Sequence, residues 1–274
     1  MEWENDARET LRRVPFFVRG RVRRRVEDAA RAAGARRVTL AHLEACRRRF
    51  LADMSDEVRG FQVETCFGPA GCPNRAVAFE GFADELERRL EARDLKGFLR
   101  ATVRGPLKMH HEFRVAVSDC PNACSRPQIV DAGFIGAVRP RVTGEPCIGC
   151  GACEAACREA AVRPGGEKEA PAVDPDRCLA CGACIRACPT GALAAGESGF
   201  RVLVGGRLGR HPRLAEELPG IHPPEAAAAL LDRALDLFTG DNRGGERFAD
   251  ILERTGLRPL LPAAEPDLTS NPNA

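Results

Sequence analysis

Apolar positions change period several times along this chain, and each change predicts an element. In "DARETLRRVPFFVRGRVRRRVEDAARAAG", residues 6 to 34, Leu11, Val14, Val18, Val22, Val26 and Ala30 recur at three- and four-residue steps, giving a helical stripe that ends at Gly34. Thr39 can N-cap a second helix, on which Cys46 is most simply a core thiol. In "FRVAVS", 113 to 118, the period falls to two and predicts a strand; the chain then turns through "DCPNACSRP" and returns through "DAGFIGAV". "FRVLV" from Phe200 predicts another strand, followed by a Gly-Gly turn and a basic loop. "PEAAAALLDRALDLFTG" and "GERFADILERTG" restore the helical period. The mixture predicts an α+β fold, with a tail at 263–274 that is expected to be disordered.

Composition narrows the class. The 274 residues are 44% apolar and 29% charged, enough for a packed core. A net charge of +2 leaves no general nucleic-acid footprint. The cations are arginines except for Lys96, Lys108 and Lys168, which fits either a GC-rich genome or a need for guanidinium forks toward carboxylates and oxyanions. No apolar run approaches the ~20 residues of a membrane span. The acidic start "MEWENDARET" is no secretory signal, so a cytoplasmic protein is expected. In that compartment thirteen cysteines point to metal rather than disulfides.

Their spacing is specific. "CIGCGACEAAC" and "CLACGACIRACP" are each C-x2-C-x2-C-x3-C, in which three thiolates of one loop wrap a cube of iron and sulfide and the fourth reaches the other cube. Cys147, Cys150, Cys153 and Cys188 should then hold one [4Fe-4S] cluster, and Cys178, Cys181, Cys184 and Cys157 a second. Residues 144–195 resemble the bacterial two-cluster ferredoxins, with Arg158 where the first motif often has proline. Two zinc sites are the alternative, although zinc usually takes separated C-x2-C pairs.

Four more thiols follow C-x5-C, a long gap, then C-x3-C: Cys66, Cys72, Cys120 and Cys124. This pattern resembles the signature of sulfite and nitrite reductases that carry sirohaem. The resemblance implies that the four hold a third [4Fe-4S] cluster and that Cys124 is also the axial thiolate to the sirohaem iron. A cluster without haem, or four buried thiols, are the alternatives. "FRVLVGGRLGRHPRLAEEL" is similar to a stretch late in the same reductases; Gly205, Gly206, Arg207 and Arg210 would suit a flat polycarboxylate, or else form a basic surface loop. Residues 58–143 plus 196–262 are thus expected to form the sirohaem domain, interrupted by the ferredoxin.

Residues 1–54 differ. "W-x3-A-x3-L-x2-VPFFVRG" with Glu27 resembles the small C-terminal domain of the B subunit of dark-operative protochlorophyllide reductase; the plainer reading is a helical docking module. Larger relatives of the sirohaem family carry two pseudo-repeats and this chain one, which implies a homo- or hetero-oligomer completing the substrate site. Lys108, His110, His111 and Arg114 are the candidate catalytic residues for binding a small oxyanion and moving protons to it. The expected function is sirohaem-dependent reduction of sulfite, nitrite or a related anion, fed by an electron donor protein. The alternative is a non-catalytic multi-cluster electron carrier serving a tetrapyrrole-reducing partner.

Overall fold

Pro15 breaks the long N-terminal stripe. It lacks an N–H and disfavours helical geometry at Val14, so the stripe is divided into α1 (Asn5–Arg12) and α2 (Phe16–Ala32). The computed structural model describes residues 1–166 and 169–261. It forms two units: Met1–Arg59 with Val103–His110, and Gly60–Thr102 with His111 onward. The tail at 263–274 lies outside the described residues.

In the first unit, β1 (Glu2–Trp3) pairs in parallel with β2 (Arg37–Val38), and α3 (Leu40–Glu57) follows. Thr39 caps α3 as expected: its hydroxyl accepts the His42 N–H, while His42 Nδ1 accepts the Thr39 N–H at 3.1 Å. Trp3, Ala7, Leu11, Val26, Ala30, Val38 and Leu43 make the core, with Cys46 against its edge. Trp3 Nε1 donates to Glu27 Oε1 at 2.9 Å, so two residues of the N-terminal pattern serve one structural bond. That bond, with Arg23 and the chain's amino group, holds the Glu27 carboxyl below its usual pKa. The expected 58–143 segment is itself interrupted, because 103–110 joins the first unit: Leu107 is buried and its N–H donates to Ser55 Oγ at 3.1 Å.

The second unit is built on a five-stranded sheet, ordered β3 (Phe61–Thr65), β4 (Phe113–Ser118), β5 (Ala132–Val142), β8 (Leu193–Val204) and β9 (Glu216–Glu217). The first three strands are parallel and the last two pairings antiparallel. The chain therefore does not return alongside β4 as a hairpin. Ala123 and Arg126 adopt left-handed backbone, and a 3-10 turn at Pro127–Ile129 carries the chain back until Ala132 lies opposite Val115. β5 instead pairs antiparallel with β8, from Ala132↔Val204 out to Val142↔Leu193. The ferredoxin-like segment fills the gap at the far end of that hairpin, as α6 (Ala152–Ala156), β6 (Val162–Arg163), β7 (Ala172–Val173) and α7 (Ala183–Ala187).

Four helices complete this unit: α4 (Phe82–Glu91), α5 (Leu95–Thr102), α8 (Pro224–Gly240) and α9 (Phe248–Thr255). Phe82 stacks on Phe200 of β8 with ring centroids 4.1 Å apart, and Phe113, Phe238 and Phe248 form a second ring cluster. Each fully buried ring contributes about 1.5–3 kcal/mol by leaving water. Arg89 of α4 and Arg93 just beyond its C-terminus pair with Asp232 and Asp236 of α8, fixing the two helices side by side.

Candidate functional site

The repeated cysteine motifs fold alike. Cys147 and Cys150 lie on the loop before α6, Cys153 lies within it and Cys157 caps its C-terminus; Cys178, Cys181, Cys184 and Cys188 stand in the same order around α7. Burial pushes the Cys153 thiol above its ordinary pKa, and the neighbouring Cys147 and Cys188 push it further. Burial likewise takes Cys184 up to about 11, reinforced by Cys178, Cys181 and Cys157. The fourth cysteine of each motif thus stands beside the other motif's thiols. Cys147, Cys150, Cys153 and Cys188 line one cavity. Among the described residues no three Cys, His, Asp or Glu side chains close on one point as a single-ion site. Backbone N–H groups face the sulfurs: Ala161 to Cys157 at 3.3 Å, Ala180 to Cys178 at 3.4 Å, and Leu193 most strongly at Cys188, whose pKa they lower.

The remaining four thiols meet because β3 and β4 are parallel and end level, Thr65 opposite Val117. Cys66 follows β3 directly and Cys120 follows β4 after Ser118 and Asp119. Burial raises the Cys120 thiol, and Cys66, Cys124 and Cys72 add to the rise, so all four are within electrostatic reach. A cluster would reverse that shift by holding the thiols as thiolates. Cys66 Sγ accepts N–H bonds from Gly68 and Asp119, each at 3.3 Å. Asp119, which the sequence reading missed, organises the site. Its carboxylate accepts Arg75 Nε at 2.7 Å, and its carbonyl accepts the N–H groups of Ala76 and Val77 at 2.8 and 3.3 Å. Gly68 is required beside it, since a Cβ there would lie 2.2 Å from Asp119 Oδ2. Its place immediately before Cys120 was the available signal.

A cavity of 230 Å³ is walled by Cys157, Cys178, Cys181 and Cys184 of the inserted segment and by Asn74, Cys120 and Asn122 of the sheet's cysteine turns. Arg158, the departure from the ferredoxin pattern, lines it too.

The candidate oxyanion residues are divided: Lys108 and His110 belong to the first unit, His111 and Arg114 to the second. Arg114 Nη2 lies 3.3 Å from Glu64 Oε1, and Arg126 Nη2 lies 3.0 Å from Glu64 Oε2, so one carboxylate joins two arginines. The Arg114 N–H donates to Asp131 Oδ2 at 2.9 Å. Asp131 is buried with its Oδ1 unpartnered, and burial raises its pKa to about 6.

Arg207 and Gly206 have protein partners in place of a ligand. The Arg207 guanidinium pairs with Asp250 and Glu253, and a Cβ on Gly206 would meet the Gln128 carbonyl at 2.6 Å. Gly205 donates its N–H to the Asp131 carbonyl, while Arg210 is exposed.

Residues 62–271 match the family model "Nitrite and sulphite reductase 4Fe-4S domain". This chain belongs to that family. Residues 3–47 match a second model, "Proto-chlorophyllide reductase 57 kD subunit". Among curated relatives, the coenzyme F420-dependent sulfite reductase of Methanocaldococcus jannaschii is 41% identical over 153 residues, 55% of this chain and 24% of that protein. A subunit of the anaerobic sulfite reductase of Salmonella typhimurium is 40% identical over 52 residues, 19% of this chain and 15% of that one. The chain thus spans about a quarter or less of these relatives. The crystal structure of dissimilatory sulfite reductase I aligns with a TM-score of 0.50 at 16% identity, covering 86% of this chain and 61% of that one, and this likeness concerns the fold. Among the described residues no helix is long and apolar enough to cross a membrane.

Proposed function

We propose that this nitrite and sulphite reductase family chain is a sirohaem-dependent reductase of sulfite, nitrite or a related small oxyanion, with three [4Fe-4S] clusters. The observation that carries the reading is the shared cavity, where thiols of the second ferredoxin set and the Cys120 turn line one space. Electrons entering at the Cys147, Cys150, Cys153 and Cys188 set would pass to the Cys157, Cys178, Cys181 and Cys184 set, and from there to the Cys66, Cys72, Cys120 and Cys124 set. Exposed Ile148, beside Cys147, gives a donor protein an apolar contact at the entry end. Sirohaem, when bound, would supply the iron at which the oxyanion is reduced, with Cys124 as the protein's ligand to it.

The chain's own residues would do the rest. Lys108 in the first unit, or Arg114 in the second, would hold the anion by charge-assisted hydrogen bonds, with His110 or His111 respectively carrying protons to its oxygens. With one repeat present, a second copy or a different partner chain would complete the substrate site. In this reading 58–143 plus 196–262 form the sirohaem domain, 144–195 the ferredoxin, and 1–54 a helical module like that of protochlorophyllide reductase.

One observation favours a second reading. Arg207 is occupied by Asp250 and Glu253, and Gly205 and Gly206 are accounted for by packing, so this loop offers a macrocycle little beyond Arg210. A three-cluster electron carrier without haem would need no such loop. Anaerobic purification separates the two. About twelve irons per chain plus one, with haem bands above the broad cluster absorption, supports the reductase; about twelve irons with no haem band supports the carrier; about eight removes the third cluster.

A further inference from the structure

Arg186 lies on α7, between Cys184 and Cys188, and it reaches out of the ferredoxin-like segment. Its Nη1 donates at 3.3 Å to the carbonyl of Cys181 and at 3.3 Å to the carbonyl of Arg75. Arg75 follows Cys72 by three residues, and its own guanidinium is locked to Asp119, next to Cys120. The same Asp119 donates its N–H to Cys66 Sγ. One guanidinium nitrogen therefore joins the backbone of a thiol in the second ferredoxin set to the loop that carries the third set. Two further contacts hold the same region of the insertion: the Val138 N–H donates to the Ala180 carbonyl at 2.7 Å, and Cys181 bridges to Val138 of β5. These tie the insertion to the sheet but do not touch the segment that follows Cys72. Arg186 does, through the Arg75 carbonyl, and it also lines the 230 Å³ cavity that both cysteine sets share.

We infer that Arg186 is a positioning residue for electron transfer, a strut whose forked hydrogen bond fixes the second ferredoxin cube against the third cluster. The inference rests on the three-cluster reading above. Its contribution is geometric: the bonds run to neutral carbonyls, so their effect is to set separation and orientation rather than to bind substrate. Placement of the partners sets the rate, and tunnelling between clusters falls several-fold with each ångström of added separation. Arg186 is exposed and caps no core cluster, so its loss should leave the fold intact.

The test compares wild type, Arg186→Gln, Arg186→Lys and Arg186→Ala, all loaded anaerobically and counted for iron. A wild type holding about eight irons would remove the three-cluster reading itself, before Arg186 is tested. With about twelve irons in all four, the ferredoxin cubes are photoreduced and the arrival of the electron at the third cluster is followed optically, with magnetic coupling between the clusters read by electron paramagnetic resonance. Arg186→Ala should slow arrival several-fold and weaken the coupling, leaving reduction of the ferredoxin cubes unchanged. Arg186→Gln and Arg186→Lys, each keeping a donor, should recover most of the rate. Unchanged arrival and coupling in Arg186→Ala would overturn the inference. So would rescue by Lys but not Gln, which would make the effect one of charge, and so would iron loss in both Ala and Gln variants, which would make the residue part of cluster assembly.

Discussion

Replacing Asp131 by asparagine should alter the pH dependence of stability in a direction fixed by burial. The native carboxyl has a pKa of about 6 against an ordinary 3.8, because desolvation outweighs the attraction of Arg247 and Arg114. The native state therefore binds this proton more tightly than the unfolded chain. Below pH ~4 both states are protonated and there is no penalty; as pH rises through 6 the folded state must ionise a buried group, and stability falls. A gap of about two units at ~1.4 kcal/mol each makes the full penalty about 3 kcal/mol, of which roughly half is already present at pH 5. The asparagine side chain would stay neutral and keep the acceptor for the Arg114 N–H, although its amide nitrogen at the unpartnered position would cost about 1–3 kcal/mol. The absolute gain is therefore small, but the slope is unaffected by that cost. Urea midpoints of the iron-loaded protein, taken anaerobically at pH 5 and 7.5, should show the variant gaining about 1 kcal/mol on wild type across the interval. Parallel curves, or wild type gaining on the variant as pH rises, would mean that Asp131 is ionised against a cation and would refute the argument.

Further outcomes can be measured. Cys124→Ser should perturb any haem bands and abolish reduction, whereas Cys150→Ala should damage the ferredoxin and leave those bands largely in place; unchanged bands and activity in the Ser variant would end the bridging assignment. Thr39→Ala removes the α3 cap and should cost about 1 kcal/mol, seen as faster hydrogen exchange in the first unit alone. Lys108→Ala should lower kcat/KM for sulfite about a hundredfold with iron content unchanged, and an unaffected variant would move the search for anion contacts to Arg75, Arg126 and Arg139.

The parts legible in the sequence are those encoded by local spacing. Cysteine intervals place three thiols on one loop whatever surrounds them, and the cap at Thr39 depends on residues three apart. Partnerships between distant segments were not legible. The parallel course of β5 after β4 depends on left-handed turns at Ala123 and Arg126, neither of which is glycine. Arg207 reads as a ligand fork until Asp250 and Glu253 arrive from α9, more than forty residues on. The stripe of Leu11 to Ala30 has helical period throughout, and only Pro15 shows where it breaks. Asp119 looks like an ordinary turn residue because its importance lies in Arg75 and Gly68, both in a different strand's loop.

The hairpin of β5 and β8 has a consequence for heredity. Val142 and Leu193 are opposite partners, so the cysteine-rich insertion departs and re-enters through adjacent backbone. A segment with ends this close can be gained, lost or exchanged in one genetic event without altering strand order, because a short turn closes the same two strands. Such a lineage can then vary its insertion while the sheet persists: different segments can be spliced onto one chassis, each needing only a few contacts such as the Val138 bridge to stay seated.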